Sequence, residues 1–441
     1  MARITISFLA RLLLAAPAAV TAINVAILNP DSVRRAAALV AEDLLSFYNG
    51  TAAGETPGIL PYSEYFWWTG GIMWNTLLDY RARTGDVKYD DLISQGLLFQ
   101  RGPNDDYLPL NFSAQIGNDD QAFWALAALE AEEIGFRDPP ASEAQWLTMA
   151  KNVFESQSST DRRAGGNCEN GLRWQILPSN AGYNYINAAS NVAYFNLGAR
   201  LARLTGNETY LREAEDTYDL LVKLGLVTED FDVYDGVNTP SCDRVNEARF
   251  SYNAGLLLQG VAALYNETRE EVWRERVDGL TTRILEVFFK DGVLSEAACE
   301  PTLCTVDMSF LKGITHRALA ATAELAPHTA VRIRSALRTS AKAAAVQCTG
   351  GDNNRMCGLY WLDSTWDNTV GAGNEASVLS ALVSVLTRTA PVVPELPNNG
   401  TSGNETATDG DNTPLSAGTV AWAGTSVSLA AGALLLVGLL L

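Results

Sequence analysis

The chain has 441 residues, a formal charge of −19 and an apolar fraction of 47%, enough hydrophobic sequence for a large folded core. That charge argues against a nucleic-acid partner, whose phosphates need a basic surface. Six cysteines and two histidines, His316 and His328, lack metal-ligand spacing, so neither a metal nor a cofactor is expected.

The chain opens as a secretory precursor. Arg3 and Arg11 precede the apolar run Leu12-Leu13-Leu14-Ala15-Ala16, and Val20-Thr21-Ala22 offers a cleavage site, giving a signal peptide over 1–22. A charged amphipathic helix follows over 32–47. From there an apolar helix alternates with an amphipathic one across a short polar turn. Residues 68–83 lead through Thr84-Gly85-Asp86 into a helix from Val87, and 119–134 precede 145–155. Residues 187–204 pair with 208–222, 252–265 with 270–288, and 310–324 with 329–345. A last apolar helix over 374–386 has no following partner, just as the first charged helix has no preceding one. Residues 391–412 then turn to Pro, Asn, Gly, Ser and Thr, a composition that reads as a disordered linker. The tail 413–441 is apolar and uncharged, the pattern of a glycosylphosphatidylinositol (GPI) attachment signal that is removed, with Gly410, Asp411 or Asn412 near the attachment point.

This order predicts an all-α domain over 23–390: an (α/α)6 barrel, a toroid of six inner and six outer helices. Helices buried around most of their circumference read as apolar throughout, whereas outer helices show a single apolar stripe. Closing the ring would pair the two unpartnered helices. Loops leading into the inner helices converge on one face, and aromatic and polar residues gather there, in Pro61–Trp68, Asn118-Asp119-Asp120, Tyr183–Asn187 and Phe250–Asn253. Flat aromatic faces over sugar CH groups, with amides and carboxylates reaching hydroxyls, suit a carbohydrate cleft. Any one of these aromatics could equally serve core packing.

An extracellular compartment fits the remaining features. Asn-X-Ser/Thr sequons stand at Asn49, Asn111, Asn207, Asn266, Asn399 and Asn404. The cysteines form an even set, for which we expect Cys299–Cys304 and Cys348–Cys357 as local loops and Cys168–Cys242 across the chain. Asp352, Asn353 and Asn354 leave calcium binding open by their oxygen donors but read first as a turn inside the second of these loops.

The chemistry concentrates in Gly117-Asn118-Asp119-Asp120-Gln121-Ala122-Phe123-Trp124. Asp and Asn are ordinary residues at a helix start. Two adjacent carboxylates beside a cleft also make a hydrolytic pair for glycosides, one attacking or stabilising the anomeric carbon and one moving a proton. With Trp67-Trp68-Thr69-Gly70-Gly71, Asn187-Ala188-Ala189-Ser190-Asn191, Thr205-Gly206-Asn207 and Val233-Tyr234-Asp235-Gly236, this segment resembles glycoside hydrolase family 76, the α-1,6-mannanases. The likeness is to its fungal, membrane-anchored mannan endo-1,6-alpha-mannosidase branch.

The resemblance implies a retaining mechanism with Asp119 as nucleophile and Asp120 as general acid and base. Trp67, Trp68, Asn118, Asn187, Asn191, Asp235 and Asn253 are the candidate sugar contacts, although Asp235, before Gly236, also suits a turn. It further implies an α-mannoside donor, such as the mannose core of GPI-anchored proteins, and a wall glucan acceptor. The enzyme would act as a monomer, GPI-anchored at the outer face of the plasma membrane or in the wall. The competing readings are a non-catalytic mannan-binding wall scaffold and another polysaccharide-cleaving enzyme on the same toroid.

Overall fold

The computed structural model describes residues 23–388; the expected signal peptide, polar linker and attachment signal lie outside the described residues. Among the described residues twelve α-helices follow one another: α1 (Pro30–Leu45), α2 (Trp68–Thr84), α3 (Asp90–Phe99), α4 (Asn118–Glu133), α5 (Trp146–Ser158), α6 (Ala188–Thr205), α7 (Glu208–Lys223), α8 (Ser251–Thr268), α9 (Glu271–Phe288), α10 (Leu311–Leu325), α11 (Ala330–Val346) and α12 (Ala372–Val383). Every side chain from Gln121 to Ala131 on α4, and from Ala188 to Ala202 on α6, is buried. On α7 burial instead recurs at Tyr210, Ala214, Thr217, Tyr218 and Leu221, the single stripe of a surface helix. The even-numbered helices form the inner ring. Each packs on the next, and α12 packs back on α2. Helix α1 packs on α12, so the first outer helix covers the last inner one and the ring is closed.

Local chemistry sets the boundaries. Asn29 Oδ1 accepts from the N–H groups of Asp31 (3.0 Å) and Ser32 (3.2 Å), and Pro30 opens the first turn, so α1 starts two residues before the expected 32. Helix α2 ends at Gly85 in the left-handed region, φ 78°, a conformation that glycine adopts at no steric cost. Glycine also lets the inner helices touch. A Cβ on Gly313 of α10 would stand 2.9 Å from Ser377 Cα on α12.

The N-terminal ends of the inner helices carry long loops, and the C-terminal halves carry a buried ion network. Arg200 reaches Glu130 (2.8 Å) and Glu133 (2.6 Å), while Arg388 joins Glu130 (2.5 Å) and Asp79 (3.5 Å). Disulfides link Cys168–Cys242, Cys299–Cys304 and Cys348–Cys357, the expected pairing. Short strands escaped the helical pattern. The strands Tyr185–Asn187, Gly236–Asn238 and Val245–Asn246 form an antiparallel three-stranded sheet in the loops, each too short to show a period of two.

Candidate active site

Asp119 and Asp120 occupy the first turn of α4, beneath those loops. Asp120 Oδ2 accepts from Gly117 N at 2.7 Å, so one carboxylate does serve the helix start. Asp119 is held differently: Oδ1 accepts from Asp120 N (3.0 Å) and Oδ2 from Asn187 Nδ2 (2.8 Å), at the start of α6. A Cβ on Gly117 would stand 2.5 Å from Asp119 Oδ1, so a larger residue there would displace this carboxylate. Burial raises both carboxyls. Asp119 lies well above its ordinary range, through desolvation first and then the charge of Asp120, and Asp120 is raised to about 6 by desolvation. The two titrate as a unit that retains a proton above pH values where a free carboxyl has lost it.

The next residues of α4 lock the site to α2. A Cβ on Gly70 or Gly71 would come within 2.9 or 3.0 Å of the Trp124 indole, so the paired glycines admit that ring. Trp67 stacks on Trp124 at 5.0 Å and Trp68 meets Phe123 at 5.2 Å. The two sequence motifs are thus the two halves of one packed contact.

Above the pair the cleft has two lobes. The first, about 360 Å³, holds Asp119, Tyr185, Asn187, Asp235 and Tyr252. The second, about 320 Å³, is walled by Tyr62, Phe66, Trp67, Phe112 and Gln115. Asp120, Trp68, Trp174 and Asp307 border both and mark the waist. Tyr62 and Phe66 are 45% and 62% exposed, open faces for a ring to cover. Among the described residues no lysine, arginine or histidine lines either lobe, while four carboxylates do. An anionic uronate would meet no cation here, which disfavours a lyase. Asp235 accepts from Tyr185 Oη (2.7 Å) and Asn246 Nδ2 (3.0 Å) through Oδ2, leaving its other oxygen available; burial raises this carboxyl too.

Of the expected contacts, Trp68, Asn187 and Asp235 line the first lobe, and Trp67 lines the second from a mostly buried position. Asn118, Asn191 and Asn253 lie behind the walls. Asn118 bonds Arg173 O (2.8 Å) and Arg162 Nη1 (2.6 Å). Asn191 bonds both backbone groups of Leu172 at 2.9 Å, and Asn253 is fully buried. His316 is buried between Lys312 O and Ser340 Oγ at 3.0 Å each, its pKa lowered to about 4 by burial. Trp174, Tyr185, Asn246, Tyr252 and Asp307 join the site without having been singled out. Tyr185 and Tyr252 stood in the aromatic segments already noted; Trp174 and Asp307 lie in stretches with no periodicity to place them.

Comparison with known proteins gives one consistent answer. The model of glycosyl hydrolase family 76 matches residues 32–395. Mannan endo-1,6-alpha-mannosidase DCW1 of Saccharomyces cerevisiae is 41% identical over 380 residues, 85% of this chain and 83% of that protein. Dfg5 from Chaetomium thermophilum, solved in complex with glucosamine, is 46% identical with a TM-score of 0.79, over 81% of this chain and 91% of that one. An inactive variant of the α-1,6-mannanase GH76A of Salegentibacter sp., in complex with α-1,6-mannotriose, shares the fold. Its TM-score is 0.63 at 18% identity, over 80% of this chain and 98% of that one.

Proposed function

The chain belongs to glycosyl hydrolase family 76, and we propose that it is a retaining glycosidase that cleaves α-1,6-linked mannosides and transfers the released glycosyl group to wall glucan. One observation carries this reading: Asp119 opens only onto the first lobe, whereas Asp120 borders both. A sugar in the first lobe presents its anomeric carbon to Asp119, and the glycosidic oxygen then falls at the waist beside Asp120. Asp119 Oδ2 and Oδ1 each accept a hydrogen bond, from Asn187 and Asp120 N, and these bonds favour the negative charge on Asp119. Burial and the Asp120 charge nonetheless lift Asp119 above Asp120, so attack requires the shared proton to lie on Asp120 Oδ1. In the first step an Asp119 oxygen attacks C1, the C1–O bond breaks, and Asp120 gives its proton to the departing oxygen. In the second, Asp120 takes a proton from an incoming hydroxyl, whose oxygen displaces Asp119 from C1. Two inversions leave the α configuration.

The incoming hydroxyl can belong to water or to a sugar. The exposed aromatic second lobe supports a sugar, because stacking would seat an acceptor at the waist and displace water. The activity in the name of the yeast relative supports an α-1,6-mannoside in the first lobe. Three disulfides and the sequons support a position outside the cell, where a lipid anchor would set the cleft among wall polymers. The test is product analysis by mass spectrometry on α-1,6-mannotriose, with and without a β-glucan oligosaccharide, for the protein and for Asp119→Asn and Asp120→Asn. Shortened and transferred products absent from both variants are expected. Mannotriose binding with no product under either condition would return the protein to a scaffold.

A further inference from the structure

Helix α8 has no cap of its own. Its N-cap residue is Phe250, which offers no side-chain acceptor, and the first turn is buried at Ser251 and Asn253. The free N–H groups of a buried first turn need a partner. One comes from 45 residues away: Glu296 sets its carboxylate oxygens 3.0 and 3.2 Å from Ser251 N and accepts the Ser251 hydroxyl at 2.6 Å. The turn that carries Glu296 holds a second carboxylate. Glu300, whose N–H bonds Glu296 O at 2.9 Å, stands 2.6 Å from Lys312 Nζ at the start of α10, and both charged side chains are almost wholly buried. The Cys299–Cys304 disulfide closes this turn, and Ser251 Oγ meets Thr315 Oγ1 of α10 at 2.8 Å. One short loop therefore grips the first turns of two neighbouring inner helices.

Those turns supply part of the wall of the first lobe, the one that holds Asp119. Tyr252 follows Ser251 and Leu311 precedes Lys312, and both side chains line the lobe. Burial first, and then the charges of Asp119 and other nearby carboxylates, hold the Tyr252 phenol well above its ordinary value. Glu296 lines neither lobe, so it can act on a sugar only through what it holds.

We propose that Glu296 is a positioning residue for this glycosidase: through Ser251 it fixes the Tyr252 ring in the lobe that holds Asp119, while Glu300 and Lys312 fix the adjacent wall. The proposal rests on the assignment of the first lobe to the donor sugar. Glu296→Gln keeps the shape and an acceptor oxygen for Ser251 N, whereas Glu296→Ala removes every bond. On α-1,6-mannotriose, Glu296→Ala is expected to lower kcat by about tenfold to a hundredfold, the scale of a misplacement near 1 Å. Its KM should change less, and Glu296→Gln should restore most of the loss. Ser251→Ala, which keeps the backbone bond, should fall between them and serves where Glu296→Ala folds poorly. Adding Tyr252→Ala to Glu296→Ala should cost little more than either change alone, because both act through one ring. Fully multiplicative losses, or unchanged kcat in Glu296→Ala, would overturn the proposal. A crystal structure of Glu296→Ala decides it independently of turnover. A displaced Tyr252 upholds the positioning role even if the substrate assignment fails, and an unmoved Tyr252 overturns it even if that assignment stands.

Discussion

Asn187 performs two tasks that one substitution can separate. Its Oδ1 accepts from Ser190 N at 3.2 Å, capping α6, and its Nδ2 donates to Asp119 Oδ2 at 2.8 Å. Serine caps a helix about as well as asparagine, but its shorter side chain cannot also reach Asp119. A hydrogen bond to a charged group contributes about 1.5–3 kcal/mol. At about 1.4 kcal/mol per tenfold, its loss from the reacting state lowers kcat/KM roughly 10- to 150-fold. The same bond helps hold the Asp119 carboxyl down, so removing it raises that carboxyl further. In the proposed mechanism Asp119 must be ionised to attack, so the acid limb of the pH profile moves to higher pH. The assay is kcat/KM on α-1,6-mannotriose against pH, beside urea unfolding. Asn187→Ser should keep the wild-type unfolding midpoint within about 0.5 kcal/mol while losing activity, and Asn187→Ala should also lose about 1 kcal/mol with the cap. Wild-type kcat/KM and an unmoved acid limb in Asn187→Ser would refute the role given to this bond.

Three further outcomes are expected. Asp120 is raised to about 6 and Asp119 lies well above its ordinary range, so below about 6 the pair holds two protons and offers no nucleophile. Above it one proton remains for the leaving oxygen until a second ionisation at higher pH removes that too. Activity should therefore rise through about 6 and fall again at higher pH, and an acid limb at the ordinary carboxyl value of ~4 would contradict the coupling. Arg200→Ala would leave Glu130 and Glu133 buried without this partner, and denaturant unfolding should show a loss of about 3–5 kcal/mol. Tyr62→Ala and Phe66→Ala strip the exposed faces of the second lobe; they should reduce transfer to a β-glucan oligosaccharide more than cleavage, read as the ratio of the two products.

The parts of this architecture legible in the sequence are those with a long period or a short separation. The inner helices announce themselves because burial all round leaves runs such as Ala125-Leu126-Ala127-Ala128-Leu129. Ring closure followed from two unpartnered helices, and they do pack together as α1 and α12. The adjacent aspartates were legible because both fall in one helical turn. What the sequence concealed was phase and long-range contact. In Tyr252-Asn253 the amide seemed the natural sugar ligand, yet successive residues on a helix point about 100° apart. Tyr252 takes the lobe and Asn253 the interior. Asn118 and Asn191 are polar at the right helix ends but are occupied by backbone groups of Arg173 and Leu172. Loops without secondary structure of their own need such partners. Trp174 reaches the waist only because its backbone pairs with Asn118 N (2.8 Å) and Tyr185 O (2.7 Å), a registration no local pattern encodes.

The account turns on Asp119 as the residue that bonds to the sugar. The most direct test is to trap that bond with a fluorinated mannosyl fluoride and to map the labelled peptide containing Gly117–Trp124 by tandem mass spectrometry. The ester should sit on Asp119, should accumulate in the wild type, and should disappear when α-1,6-mannotriose competes for the first lobe. A label on Asp120, or full turnover of mannotriose by Asp119→Asn, would contradict it.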